Sequence, residues 1–369
     1  MRSIWDLANL HLRGLSVYEP GKPIEETARE IRVDPAEITK LASNENPLGP
    51  SPKAVKAMSD ALINAHLYPD GGGFYLREAL AARLQVAPEN IVLGNGSNEI
   101  IEFLAHAFVR PGDDVVMSAY AFVAYKLIAA LFDARPIEAA SPDYHHDVEA
   151  MLKAITPRTR LVIIANPNNP TGTLISQQQI DDFVSHLPEN VVAVFDEAYF
   201  EFLDHAPDTL RYVREGKNIV VLRTFSKIHG LAGLRIGYGI ARRDLVEVLQ
   251  KTRQPFNVNS IGLAGALAAL SDDAHQRKTK ETVDAGRAYL EKEFASMGLK
   301  FVPSVANFVM VDVGDGPSVF KELLASKVIV RPLRGYNLKR WVRISVGTME
   351  QNQRCIEALE EVLAKHHRA

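Results

Sequence analysis

Apolar and polar positions change their period several times along this chain. Short apolar runs at residues 90–93, 115–118, 161–165, 191–195, 219–222 and 236–240 read as buried strands. Between them, the stretches 97–108, 122–131 and 176–187 repeat their apolar residues every three or four positions, the spacing of one-sided helices. A strand that is apolar on both faces needs cover on both, and alternating helices supply it in a mostly parallel sheet. The expected fold class is α/β, with a mostly parallel central sheet in a large domain. From residue 259 the pattern differs. Helical stretches at 259–270 and 275–297 precede strands near 307–313, 328–331 and 341–346, which predicts a smaller α+β domain. The first 44 residues carry Pro20, Pro23 and Pro35 and read as an irregular arm packing with the small domain. The predicted organisation is thus an arm at 1–44, a large domain at 45–258 and a small domain at 259–369.

Composition narrows the function classes. The chain has 369 residues, 47% of them hydrophobic and 24% charged, enough to bury a large core. A formal net charge of −3 offers no basic field for nucleic acid. No apolar stretch reaches the length of a membrane span, and the opening MRSIWDLANLHLRGL lacks the pattern of a secretory signal. The only cysteine, Cys355, cannot form an internal disulfide and falls in a helical pattern, where it reads as a core residue. A cytoplasmic protein working on small molecules, with neither nucleic acid nor membrane as partner, is expected.

In a parallel α/β sheet, ligands sit at the carboxyl ends of the strands. The first such end is Gly94-Asn95-Gly96-Ser97-Asn98-Glu99, where glycines at a helix N-terminus make a phosphate site. It is not a dinucleotide fingerprint, because Glu99 holds the place of the third glycine and opposes a pyrophosphate. No lysine follows it as a phosphoryl-transfer loop requires. A second end carries the rigid turn Asn166-Pro167-Asn168-Asn169-Pro170-Thr171-Gly172, and a third carries Asp196-Glu197-Ala198-Tyr199. A fourth is RTFSKIHGLAGLRIGYG, in which Lys227 stands among Thr224, Ser226 and Arg235, three groups able to hold an anion. A lysine at the mouth of a strand beside an anion cup is a candidate nucleophile. His145 and His146 lack a spaced third ligand and read as a solvated polar loop. Taken singly, each residue has a plain structural use: Asp196 and Ser97 as helix caps, Phe122 as core, Arg235 as a surface ion pair.

The motifs ANPNNPTG, DEAY and TFSKIHGLAGLRIG, in this order, resemble those of the fold-type I pyridoxal-phosphate aminotransferases. The similarity runs from LASNENPLGPSP to WVRISVGT, and within the family it is greatest to the branch acting on histidinol phosphate. The resemblance implies pyridoxal 5′-phosphate as cofactor. It makes Lys227 the Schiff-base lysine, Asp196 the partner of the pyridine nitrogen, and Asn169 and Tyr199 the donors to the phenolic oxygen. It makes Phe122 the stacking ring and Gly96, Ser97, Thr224, Ser226 and Arg235 the phosphate cup, with Asn98 a further cofactor-binding residue. Five strand ends that each carry what one cofactor needs argue against the plain structural uses. Tyr68 matches a tyrosine that reaches the neighbouring subunit's cofactor, so a homodimer with shared sites is implied. Arg343 matches the arginine that pairs with a substrate carboxylate or phosphate, with Arg331, Tyr18 and Asn46 as further substrate ligands. The implied reaction moves an amino group between histidinol phosphate and 2-oxoglutarate, giving glutamate. Three alternatives share these motifs: an aromatic amino acid aminotransferase, a lyase of the threonine-phosphate decarboxylase type, and a non-catalytic regulator on the same fold. The third would need a DNA-binding module for which the arm has no room.

Overall fold

A computed structural model describes residues 3–18 and 20–366. Its strands are, in chain order, β1 (Thr39–Lys40), β2 (Ile91–Gly94), β3 (Asp114–Ser118), β4 (Arg135–Ala139), β5 (Thr159–Ala165), β6 (Val192–Asp196) and β7 (Ile219–Thr224). Then follow β8 (Gly237–Ala241), β9 (Phe301–Val302), β10 (Phe308–Asp312), β11 (Val328–Ile329), β12 (Arg331–Leu333) and β13 (Leu338–Ser345).

Seven of these make the central sheet, in the order β2-β8-β7-β6-β5-β3-β4. Along β5, Leu161 and Ile163 join one buried cluster while Val162 and Ile164 join another. The same alternation separates Val220 and Leu222 from Ile219 and Val221 on β7. Successive side chains of a strand point to opposite faces, so an unbroken apolar run feeds two cores, one on each side of the sheet. Fully burying each such side chain is worth about 1.5–3 kcal/mol. From β7 to β4 the pairings are parallel, whereas β8 runs antiparallel to both neighbours. That reversal brings the amino end of β8 to the edge where the other strands end. Strand β4 has no counterpart in the sequence reading. It pairs with β3 alone, at the sheet edge, where Pro136 and a half-exposed surface are tolerated and the apolar signal is weak.

The helix Ser260–Leu270, expected with the C-terminal unit, instead sends Ala266, Ala269 and Leu270 into a core of the central sheet. It lies close to the helix Pro52–Ala61 because Gly265 has no side chain: a Cβ there would sit 2.8 Å from Met58. The C-terminal strands form a four-stranded antiparallel sheet, β12-β13-β10-β9, covered by the helices Asp273–Ser296, Gly316–Ala325 and Met349–His366. Cys355 is fully buried there, and burial pushes its thiol up to about 12.

The N-terminal segment is less irregular than its prolines suggest. Pro23 leads into a helix, Ile24–Ile31, whose Ala28 packs with Ile38, Ala42 and Ile329, and β1 pairs in parallel with β11. Earlier in the chain, His11 Nε2 lies 3.0 Å from the carbonyl of Leu131, so this part of the segment meets the large sheet's helix Val123–Leu131.

Candidate active site

The carboxyl ends of β2, β3, β5, β6 and β7 open onto a cavity of about 680 Å³. Its walls include Ser97, Asn98, Phe122, Asn169, Asp196 and Tyr199. They also include Thr224, Ser226, Lys227 and Arg235, while Tyr18, Arg331 and Arg343 enter from the arm and the small sheet. Thus twelve strand-end or opposing residues named from sequence, with Tyr18, converge on one space.

Lys227 follows β7 by three residues. Its Nζ lies 3.3 Å from the carbonyl of Ser43 and 5.6 Å from the centre of the Tyr199 ring. Burial, reinforced by the charges of Arg343 and Arg235, lowers its pKa to about 8. Asp196, the last residue of β6, accepts from the Tyr125 phenol at 2.7 Å and from the backbone N–H of Ala198 at 3.1 Å. Burial still holds its pKa above the ordinary carboxylate value.

An anion cup lies beside them. The Thr224 hydroxyl donates to Ser226 Oγ at 3.0 Å, and Arg235 Nη1 reaches the same oxygen at 3.4 Å. Arg235 precedes β8, and the antiparallel course of that strand is what brings it here. Opposite stands Gly96 with φ +78°, where an added Cβ would lie 2.5 Å from Arg235 Nη2. A side chain there would push the guanidinium aside, and the positive φ is one that glycine adopts freely.

Arg343 is 6% exposed; it donates to Asn169 Oδ1 at 2.5 Å and to the carbonyl of Ala42 at 2.7 Å. Its Nε has no hydrogen-bond partner among the described residues. With its oxygen engaged, Asn169 has only amide N–H groups left to offer.

Three expected residues do not line this cavity: Gly96, which stands against Arg235 in the anion cup, and Asn46 and Tyr68. Asn46 is turned away: its Nδ2 donates to the carbonyl of Ile228 at 2.7 Å and its Oδ1 accepts from the Leu48 N–H at 2.8 Å, so it braces its own loop. Tyr68 is 83% exposed and stacks on Phe256 at 4.7 Å, away from the cavity of its own chain. His146, expected in a solvated loop, is buried against the carbonyl of Ala165 at 2.8 Å, and its pKa falls to about 4. Among the described residues no cluster has the makings of a metal site.

Among the cavity residues that sequence reasoning missed are Asn44, Tyr125 and Tyr336. Tyr125 had a signal, since it lies one helical turn beyond Phe122 and its ring meets that ring edge-on at 5.6 Å. Asn44 stands two residues before Asn46 in NEN, and its φ of +55° favours asparagine.

A lysine of depressed pKa, a buried carboxylate and an anion cup at one edge of a mostly parallel sheet define a group-transfer enzyme of fold type I that works through an amine. The family model for aminotransferase class I and II matches residues 36–359. This chain belongs to that family. It is 51% identical to a histidinol-phosphate aminotransferase of Akkermansia muciniphila over 98% of this chain and all of the relative. It is 48% identical to another of that name from Moorella thermoacetica, over 94% of this chain and 90% of the relative. The crystal structure of histidinol-phosphate aminotransferase from Sinorhizobium meliloti in complex with pyridoxal-5′-phosphate superposes with a TM-score of 0.88. That match is at 28% identity and covers 96% of this chain and 97% of the other.

Proposed function

We infer that this chain is a pyridoxal-phosphate-dependent aminotransferase that moves the amino group of histidinol phosphate to 2-oxoglutarate by a ping-pong cycle, in histidine biosynthesis. The observation that carries the reading is a lysine held near pKa 8 in the same cavity as two opposed arginines, Arg331 and Arg343.

The residues fit the cofactor. Thr224, Ser226, Ser97 and Arg235, with the backbone N–H groups after Gly96, would hold its phosphate. Asp196, whose burial disfavours its charge, would be stabilised as a carboxylate by a protonated pyridine nitrogen. Asn169 and Tyr199 would donate to the phenolic oxygen, and Phe122 would cover the ring. Once bound, the cofactor withdraws electrons from the substrate carbon, which makes its hydrogen removable. Lys227 supplies the base: at a pKa near 8 its Nζ is neutral in a useful fraction of molecules and can take and return that proton. Arg343 and Arg331 would hold the substrate phosphate, and in the other half-reaction the two carboxylates of glutamate.

Tyr68 gives the reading its quaternary side. We assign it to the partner's cavity in a homodimer, an assignment supported by its exposure in a stretch of sequence whose Ile63, Leu67, Phe74 and Tyr75 are large apolar residues exposed as well. No helix among the described residues is long and apolar enough to cross a membrane, and a cytoplasmic location suits a biosynthetic enzyme.

Rapid mixing of the cofactor-loaded enzyme with histidinol phosphate, phenylalanine, tyrosine, aspartate and threonine phosphate tests the assignment. Histidinol phosphate should convert the visible band fastest, and 2-oxoglutarate should restore it. Fastest conversion by phenylalanine would move the chain to the aromatic aminotransferases. Loss of carbon dioxide from threonine phosphate would move it to the lyases.

A further inference from the structure

We propose that Asn44 is a positioning residue that fixes which way the Tyr199 phenol points its proton. Four buried side chains meet in a dry region at the cavity wall, where Asn44 is 1%, Tyr199 4%, Ser345 3% and Asn307 0% exposed. Asn44 Nδ2 donates to Tyr199 Oη at 2.9 Å. Asn44 Oδ1 accepts from the Ser345 hydroxyl at 2.9 Å, and Ser345 Oγ accepts the backbone N–H of Asn44 at 2.8 Å. Asn307 Nδ2 donates to the backbone carbonyl of Asn44 at 3.0 Å. The backbone amide, the backbone carbonyl and both polar side-chain atoms of Asn44 are therefore engaged.

Ser345 sets the orientation of the amide. Its hydroxyl accepts the backbone N–H and gives its own proton to Oδ1; an amide turned the other way would take that acceptor from the buried hydroxyl, so Nδ2 faces the phenol. A phenol has one proton to give and here accepts a bond from the amide. Asn44 presents only N–H to it and cannot take that proton. The Tyr199 proton is thereby directed away from Asn44, toward the cavity that Tyr199 and Lys227 share. The ring cannot swing to compensate, since it packs edge-on against Phe308 at 5.1 Å.

The backbone is held for this purpose. Asn44 has φ +55°, a left-handed conformation that most non-glycine residues avoid and that asparagine tolerates better than most. Ser345 ends β13, two residues beyond Arg343, so the strand that carries the substrate arginine also carries the residue that orients Asn44. Substrate position and phenol orientation are thus set by one strand.

This inference rests on the reading of Tyr199 as donor to the cofactor's phenolic oxygen. A donor there favours the deprotonated form of the lysine–cofactor linkage, so losing it raises the pH midpoint of the visible band. The experiment is a pH titration of that band in the cofactor-loaded wild type, Asn44→Asp, Tyr199→Phe and the double variant. Asn44→Asp preserves the shape and the Ser345 bond but turns a donor into an acceptor, which draws the phenol proton out of the cavity. The midpoint should rise in Asn44→Asp and in Tyr199→Phe. In the Tyr199→Phe background the Asn44→Asp shift should shrink to the through-space effect of the added carboxylate. Asn44→Gly, which accepts the same φ and adds no charge, should raise the midpoint by less than Asn44→Asp does. An Asn44→Asp shift of the same size in both backgrounds, or none in either, overturns the proposal. An unmoved midpoint in Tyr199→Phe instead overturns the reading of Tyr199 beneath it.

Discussion

Arg331 and Arg343 stand directly opposite each other across β12 and β13. Like charges in facing positions of an antiparallel pair repel, and the neighbouring Arg331 adds to the burial that lowers the Arg343 pKa. Two guanidiniums forced onto one sheet face at a cavity wall make sense with a strongly anionic ligand between them. A phosphate dianion meets that demand better than a single carboxylate.

Arg331→Ala is therefore expected to weaken transition-state stabilisation for histidinol phosphate by about 2–4 kcal/mol, through loss of a charge-assisted pair to a largely desolvated dianion. Phenylalanine, with one carboxylate and an apolar ring, should lose far less. The measurement is kcat/KM for both substrates in wild type and variant. Equal losses would assign Arg331 to the scaffold.

The lysine leads to a stability prediction in the cofactor-free protein. Its pKa is about 8 when folded, against an ordinary value of 10.5. Between those values the unfolded chain binds the proton and the folded chain does not, so stability rises with pH across that window. Below pH 8 the folded protein holds a charged Lys227 at a cost. The Lys227→Met variant, measured without cofactor, should thus be more stable than wild type near neutral pH, and the gap should close from about pH 8 to 10.5. Denaturant midpoints at several pH values check this; a gap constant with pH would place the folded pKa of Lys227 at its ordinary value.

Tyr68 is exposed, as are Ile63 and Phe74 in the same stretch of chain, and a role in the partner's cavity makes a specific demand on mixed subunits. A heterodimer of one Lys227→Ala and one Tyr68→Phe subunit contains one site that has both native residues. Co-refolded or co-expressed mixtures should recover activity above the sum of the two variants alone. Recovery no greater than that sum would put Tyr68 to work within its own chain, or nowhere in the site.

How far the sequence could be read follows from which signals are local. The buried strands were legible because an unbroken apolar run has few other uses, and Asp196 and Lys227 could be found because each lies at a strand end. Strand β4 was not legible, since an edge strand with a proline and a half-wet surface lacks the apolar run. Asn44 and Asn46 show a subtler limit. Both asparagines stand in NEN, yet one faces the cavity with φ +55° and the other caps its own loop. That choice is made by Ser345, Asn307 and Ile228, residues far away in sequence. The pairing of Arg331 with Arg343 depends likewise on a strand register that composition does not encode.

Behind the cavity floor, Glu197 and Arg223 form an ion pair in which the guanidinium meets one carboxylate oxygen twice, from Nε at 2.9 Å and Nη2 at 2.8 Å. The two side chains are 4% and 6% exposed, and the pair ties the end of β6 to β7 next to Asp196 and Thr224. Thr209 donates to the other oxygen of Glu197, and Arg223 lies over the Phe200 ring at 3.6 Å, so both charges are largely withdrawn from water. Such a pair gains little over an apolar substitute of the same shape, because both ions were stripped of solvent. Breaking it from one side is another matter, since the remaining charge stays buried without its counterion. Glu197→Gln should destabilise the fold by about 3–5 kcal/mol, while Asp60→Asn, which removes half of an exposed surface pair with Lys56, should cost under about 1 kcal/mol. Urea unfolding of the cofactor-free forms reads both. A Glu197→Gln loss as small as the surface control would mean that water or a neighbouring acid such as Glu201 takes over the guanidinium.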